Sequence, residues 1–361
     1  MTNSRVNEID LLRFLAALAV VFFHYSFRGY AADAMSAMPY PLLAPLAKYG
    51  YLGVELFFMI SGFVILMTAA NGSLRRFAIS RFVRLYPAFW ACCTATFLVT
   101  IAIGEPRFSA TIGQYLVNMT MLSGFVGVPS IDGAYWSLFV EIRFYALVAI
   151  ILAIGKIHHA QIFLVLWLIF SVALELQPVG MLRLFLVTDY SAFFIAGATF
   201  FLIWSKGPSV TRVGIVTISW WLATTQSISR LQGLEKHYDT SMNAFLAGGI
   251  LTSFFVVMML VALGKTGIFG RKRWLLLGSL TYPLYLLHQN IGFMVFNTLY
   301  PSINTHVVFW GTLVAALVFA YAVHYFIERP LSPPMKATLN MFADRIQQPA
   351  LRSSRSAEPR R

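Results

Sequence analysis

Residues Leu11 to Tyr30 read LLRFLAALAVVFFHYSFRGY, a run apolar enough to cross a bilayer, yet it carries Arg13 and His24. In lipid the backbone must satisfy its own hydrogen bonds, so such a run is expected to be helical. An ionisable group at membrane depth is costly and is normally turned toward a bundle interior or a water-filled cavity. The helix advances about 100° per residue, which puts Arg13 and His24 on one face, about 16 Å apart along the axis. That face carries two polar stations at different depths. The plainer alternative is that Arg13 snorkels to the headgroups and His24 is a packing histidine.

The rest of the chain repeats the apolar pattern. Of 361 residues, 58% are hydrophobic and only 11% are charged, and runs of span length recur between short polar turns. The alternating short strands of a barrel do not occur. The expected fold is all-α, a polytopic membrane helical bundle of about ten transmembrane helices. The spans are expected at about 11–30, 51–70, 85–104, 134–155, 161–176, 190–204, 213–226, 243–263, 274–300 (interrupted by Pro283) and 306–327. Residues 106–129 read as a loop with an interfacial or re-entrant helix near 112–122. Residues 1–330 form one membrane domain, and 331–361 read as a basic, disordered tail.

The formal charge of +13 does not point to nucleic acid, because the basic residues sit in the turns between apolar runs and in the tail. They report topology. Of 27 Lys and Arg, only Arg28, Lys48, Arg107, Arg183, Arg230 and Lys236 fall on the side opposite the N-terminus, and Arg13 and Arg143 lie inside spans. The positive-inside rule therefore places both termini in the cytoplasm. Glu8 and Asp10 spoil a basic leader, so the run before Ala31, Ala32 and Ala34 is expected to be kept rather than cleaved. Cys92 and Cys93 are adjacent inside a span, so neither a disulfide framework nor a cysteine metal site is expected.

Orientation converts sequence position into depth. Arg13 comes about one turn inside the cytoplasmic boundary, and His24 lies in the outer half. Glu141 enters from outside and sits about two turns down, level with His24, while His288 is an inner or central candidate. A histidine and a carboxylate at one depth can serve as a base and its orienting partner where their helices are neighbours. Glu141 and Arg143, two apart, point to different faces and are not expected to pair. Arg81 and Arg84 share a face in the basic segment 73–87, where they could hold phosphate groups or simply mark a cytoplasmic turn.

The motifs coincide, in order, with those of one family. Asn7-Glu8-Ile9-Asp10-Leu11-Leu12-Arg13 opens the set, with an arginine and a histidine separated by ten residues at Arg13 and His24. Gly53-Val54-Glu55-Leu56-Phe57-Phe58 leads into Ser61-Gly62-Phe63, and Arg81 and Arg84 precede Leu85-Tyr86-Pro87. Tyr135-Trp136-Ser137-Leu138-Phe139-Val140-Glu141, Thr281-Tyr282-Pro283 through His288, and Glu328-Arg329-Pro330 complete it. Over roughly residues 7 to 330 the chain resembles the acyltransferase 3 family of integral membrane O-acyltransferases, which modify cell-envelope or secreted carbohydrates. It departs after Glu141, where Ile142 and Arg143 stand in place of the more usual glutamate and glutamine.

The resemblance implies transfer of an acyl group, most often acetyl, from a cytoplasmic acyl-CoA to a hydroxyl of a saccharide, glycolipid or small secreted acceptor. It also implies a multi-pass protein of the bacterial cytoplasmic (inner) membrane, with acetyl-CoA as a donor substrate rather than a bound cofactor. His24 and Glu141 are the expected catalytic pair, with His24 as general base or as acyl-accepting nucleophile. Arg13, Arg81 and Arg84 are expected to bind the donor, and Glu55, Trp136, Ser137 and His288 are further functional candidates. The rival expectation is a transporter or flippase whose buried arginine, histidines and glutamate line a substrate or proton path.

Overall fold

The computed structural model describes residues 6–31, 34–70 and 72–356; Arg5, Ala32 and residues 357–361 lie outside the described residues. Its long helices are α1 (Asn7–Phe23), α2 (Gly53–Ala69), α3 (Leu74–Ile103), α4 (Trp136–Ala153) and α5 (Ala160–Leu176). They continue as α6 (Ser191–Lys206), α7 (Val210–Tyr238), α8 (Ala244–Ala262), α9 (Leu275–Leu299), α10 (Thr305–Val323) and α11 (Arg329–Ser356). No strand occurs among the described residues. The all-α bundle follows from the bilayer's demand for internally satisfied backbone.

Eight helical stretches are long and apolar enough to cross a membrane among the described residues. Of the ten runs expected, those of α7 and α9 fall outside that set, because polar side chains dilute their apolarity, Thr217, Ser219, Thr224, Thr225 and Gln226 in α7 and His288, Gln289 and Asn290 in α9. Both nevertheless pack inside the bundle, α7 against α6 and α8, and α9 against α1, α3 and α10. The polarity of α9 reflects a site rather than a surface: His288 and Gln289 are fully buried.

Three boundaries differ from those expected. The polar stretch after residue 226 is helix rather than loop; α7 runs on to Tyr238 and stops where Asp239 takes a left-handed φ of 46°. Gln226 helps carry it forward, donating from Nε2 to Glu175 Oε2 of α5 at 2.8 Å. Pro283 does not interrupt α9, which is continuous through it. The tail is not disordered across 331–356: a π-turn at His324–Glu328 passes α10 directly into α11. There Arg75 of α3 clamps it, pairing Nη1 with Asp344 Oδ1 at 2.6 Å and donating from Nη2 to Asn340 O at 2.7 Å. A helix of low intrinsic stability persists where tertiary partners hold it. Segment 106–129 holds the seven-residue helix Ile112–Asn118, started by a reciprocal cap between Thr111 and Gln114, and a single 3-10 turn at Ser123–Phe125.

The centre of the bundle is the contact between α2 and α6. A Cβ on Gly197 would lie 1.8 Å from the Met59 carbonyl oxygen, and one on Gly62 would lie 2.2 Å from that of Phe194. Only glycine lets the two backbones approach this closely, and close backbone approach is how helices gain packing energy where lipid offers no hydrophobic drive. This rigid pair holds the side of α2 on which Val54, Glu55 and Ser61 line cavities.

Candidate active site

Two cavities lie back to back along α1. The one nearer its start, about 190 Å³, is lined by Arg13, Arg81, Arg84, Ser61 and Glu141 among others. The one nearer its end, about 500 Å³, is lined by His24, Arg28, Glu55, Trp136, Tyr190 and Arg230 among others. Val54 and Tyr285 line both, and so form the partition. The Tyr285 hydroxyl is held there by Ser137 Oγ at 2.7 Å and by donation to the Ala134 carbonyl at 3.1 Å. Arg13 and His24, on one helix face, open into different chambers.

The chemistry of the second chamber begins with a tautomer. His24 Nδ1 is 2.8 Å from the Val20 carbonyl, and His288 Nδ1 is 2.8 Å from the Tyr285 carbonyl. A carbonyl only accepts, so both rings carry their proton on Nδ1. His288 Nε2 is then a bare acceptor, and at 3.2 Å it shares the His24 Nδ1–H with Val20. That leaves the lone pair of His24 on Nε2, where Arg28 Nη1 donates to it at 3.3 Å. His24 opens a π-turn, His24–Arg28, a wide turn of a kind frequent at functional sites. An imidazole oriented from behind, with its Nε2 lone pair turned to the cavity beside Arg28, is the arrangement a proton acceptor requires.

Unpartnered polar atoms surround that base. Glu55 Oε2, Tyr51 Oη, Arg28 Nε and Ser227 Oγ are all buried without a hydrogen-bond partner in the structure, and all four residues line the His24 cavity. Such groups are normally satisfied, so a cluster of them around one space is a place for a polar ligand. Trp136 is 40% exposed and stands 5.6 Å from Tyr190, so aromatic faces border the same space. The Arg230 guanidinium lies 4.9 Å over the Tyr190 ring.

The first chamber is cationic. Arg84 Nη1 pairs with Glu328 Oε1 at 3.2 Å, and Glu328 Oε2 is 2.8 Å from His324 Nδ1. Arg81 donates from Nη2 to Ser80 Oγ at 3.1 Å, and its Nε has no partner. Glu141 Oε1 accepts from Ser61 Oγ at 2.5 Å. Arg13, Arg81 and Arg84 thus meet as expected, but Glu141 meets them rather than His24. Among the described residues no hydrogen bond or ion pair joins Glu141 to His24. Equal depth does not make the two side chains neighbours: Glu141 lies on the other side of the Tyr285 partition. His288, expected inner or central, instead occupies the place behind His24. Trp136 faces the His24 cavity and Ser137 the cationic one.

Two contributors went unnoticed in sequence. Arg28 stands four residues after His24, a spacing that places it on the same face, but it read as an outer-loop cation. Tyr285 stands three before His288; nothing in sequence marks it as a partition. Just ahead of α4, Asp132 is fully buried and accepts from the Ala134 and Asn290 backbone N–H groups at 2.8 and 3.0 Å, tying α4 to α9 beside His288. Burial pushes its carboxyl up to about 6, against the pull of those two bonds and of the Arg28 charge. No group of three or more metal-ligating side chains occurs among the described residues.

Comparison with known proteins supplies the family. The acyltransferase domain model of the acyltransferase 3 family matches residues 6–325. An O-acetyl transferase of Shigella phage Sf6 is 25% identical over 320 residues, covering 82% of this chain and 89% of the relative. Nodulation protein 10 of Rhizobium leguminosarum bv. viciae is 26% identical over 317 residues, covering 78% and 82% respectively. A peptidoglycan O-acetyltransferase of Listeria monocytogenes serovar 1/2a is 24% identical over 334 residues, covering 79% of this chain but 49% of the relative. No solved structure matches significantly. These matches displace the transporter alternative. An apolar helical bundle with a buried histidine lining one of two adjoining polar chambers, matched by the family model over nearly its whole length, belongs to the acyltransferase 3 family and is a membrane O-acyltransferase.

Proposed function

We propose that the enzyme moves an acyl group, acetyl in keeping with the names of its relatives, from cytoplasmic acyl-CoA to a hydroxyl of an envelope saccharide, glycolipid or secreted molecule. The observation that carries this reading is the pair of chambers, cationic on one side of Tyr285 and base-bearing on the other. The positive-inside bias turns the Arg13 chamber toward the cytoplasm, in a protein of the cytoplasmic membrane with both termini inside. Arg13, Arg81 and Arg84 would hold donor phosphates by charge-assisted hydrogen bonds. The thioester arm would pass Tyr285 toward His24, about 16 Å of helix rise from Arg13.

The acceptor hydroxyl would lie among Glu55, Tyr51 and Trp136. His24 Nε2 takes its proton while the oxygen attacks the thioester carbon. Collapse of the tetrahedral adduct breaks the C–S bond and forms the ester, and His24 returns the proton to the departing thiolate. His288 supports the imidazolium by accepting from Nδ1 throughout. Glu141, held by Ser61, belongs to the donor chamber and tempers its positive charge. The test is acetyl transfer to extracted envelope glycans in inside-out membrane vesicles supplied with labelled acetyl-CoA. Transfer by wild type and none by His24→Ala is expected; equal transfer by the variant removes the base from His24.

A further inference from the structure

Next to the donor chamber lies a second cationic space that the reaction so far does not use. It is a cleft of about 560 Å³ where the end of α2 and the start of α3 meet α11, lined by Thr68, Arg76, Ser80, Lys336 and Asn340 over a floor of Met67 and Ile79. No carboxylate lines it among the described residues. Arg75 is committed to Asp344 and Asn340, whereas its neighbour Arg76 and the facing Lys336 make no ion pair among the described residues. Ser80 Oγ accepts from Arg81, which leaves the Ser80 O–H free to donate. Because Arg81 lines the donor chamber, that hydrogen bond is a wall common to both spaces. Along α3, positions 76, 80 and 84 follow at intervals of four on one face, about 12 Å from first to last. A row of donors thus leads from the cleft into the donor chamber.

We propose that this cleft binds a phosphomonoester, the 3′-phosphate of the donor CoA, through Arg76, Lys336 and Ser80, while Arg81 and Arg84 face the diphosphate. The assignment rests on acyl-CoA being the donor. A phosphomonoester carries close to two negative charges and three strong acceptor oxygens at neutral pH. Two cations without an ion pair among the described residues and a free hydroxyl, with no carboxylate among the lining residues and Asp344 engaged by Arg75, complement it in charge and in donor count. It follows that α11 is part of the donor site, and that the enzyme distinguishes CoA from thioester carriers lacking the 3′-phosphate. An anionic lipid headgroup offers the same phosphate chemistry, and the two sources separate experimentally.

The experiment measures binding of CoA and of 3′-dephospho-CoA by calorimetry. Wild type, an Arg76→Gln/Lys336→Gln double variant and a Lys156→Gln control are each placed in nanodiscs of phosphatidylcholine alone or with phosphatidylglycerol. Wild type should prefer CoA by about tenfold, the scale of two partly solvated charge contacts. The double variant should bind both nucleotides equally, with wild-type affinity for dephospho-CoA as evidence that it is folded, and Lys156→Gln should keep the preference. All of this should hold in both lipids. A preference that persists in the double variant, or is absent from wild type, overturns the assignment, as does equal weakening of both nucleotides. An effect confined to phosphatidylglycerol assigns the cleft to a headgroup instead. If neither nucleotide binds wild type, the acyl-CoA reading itself falls, and the cleft assignment with it; if both bind and only the discrimination fails, the donor reading stands.

Discussion

Replacing His288 by alanine separates a base from its support. The His24 Nδ1–H has two acceptors, the Val20 carbonyl at 2.8 Å and His288 Nε2 at 3.2 Å, and the substitution removes only the longer. One neutral hydrogen bond contributes about 1 kcal/mol net. Because Val20 still holds the tautomer, turnover should fall about fivefold, with acceptor and donor KM little changed. His24→Ala removes the proton acceptor itself and should cost on the order of 10²–10⁴. His288 is fully buried, so alanine also leaves a void. His288→Gln, whose amide oxygen can take the place of Nε2, should therefore recover part of the loss. Initial rates of CoA thiol release in the vesicle assay, at saturating acetyl-CoA and varied acceptor, measure all three. If His288→Ala were as inactive as His24→Ala, the two histidines would act jointly on the transferred proton, and the assignment of His288 as a support would be refuted.

Moving Glu141 to the donor chamber makes a second prediction: Glu141→Gln should change the acetyl-CoA KM severalfold and leave the acceptor KM alone, whereas an orienting partner of His24 would lower kcat. Gly197→Ala forces a methyl against the Met59 carbonyl, and overpacking of that kind costs about 1–3 kcal/mol, so thermal unfolding in detergent should begin several degrees lower. For Asp132 the folded value of about 6 lies above the unfolded value of about 3.9. The folded state therefore holds the proton more tightly, and this group's contribution to stability declines as pH rises from about 4 through 6. Asp132→Asn should flatten that slope in melting curves taken across the interval; an unchanged slope would place its origin elsewhere.

The bundle was legible because membrane-spanning helices are set by local rules. Length, apolarity and basic turns depend on each segment and the bilayer, not on which helix lies beside which. The shared face of Arg13 and His24 was legible for the same reason, being the geometry of one helix. So was the meeting of Arg13 with Arg81 and Arg84, since all three lie near one membrane boundary. The tail was misjudged because composition registers a basic, proline-bearing stretch but not that Arg75 of α3 reaches Asp344 and Asn340. Loop was assigned after residue 226 on similar grounds, although Gln226 has a partner on α5.

What depended on tertiary structure is the choice of partners across helices. Depth alone put Glu141 level with His24 and His288 at an inner or central position, but an error of one turn in a span boundary shifts a side chain by about 5.4 Å. The fold resolved it with Tyr285, which Ser137 and the Ala134 carbonyl hold between the chambers, leaving Glu141 on the side of Arg13 and His288 behind His24. The sequence by itself therefore determined that an arginine and a histidine occupy one face of a membrane helix. Only the packing of α1 against α2 and α9, and of α4 against α2, decided that a partition runs between them, because contact between helices is set by interlocking side chains rather than by the periodicity of any one segment.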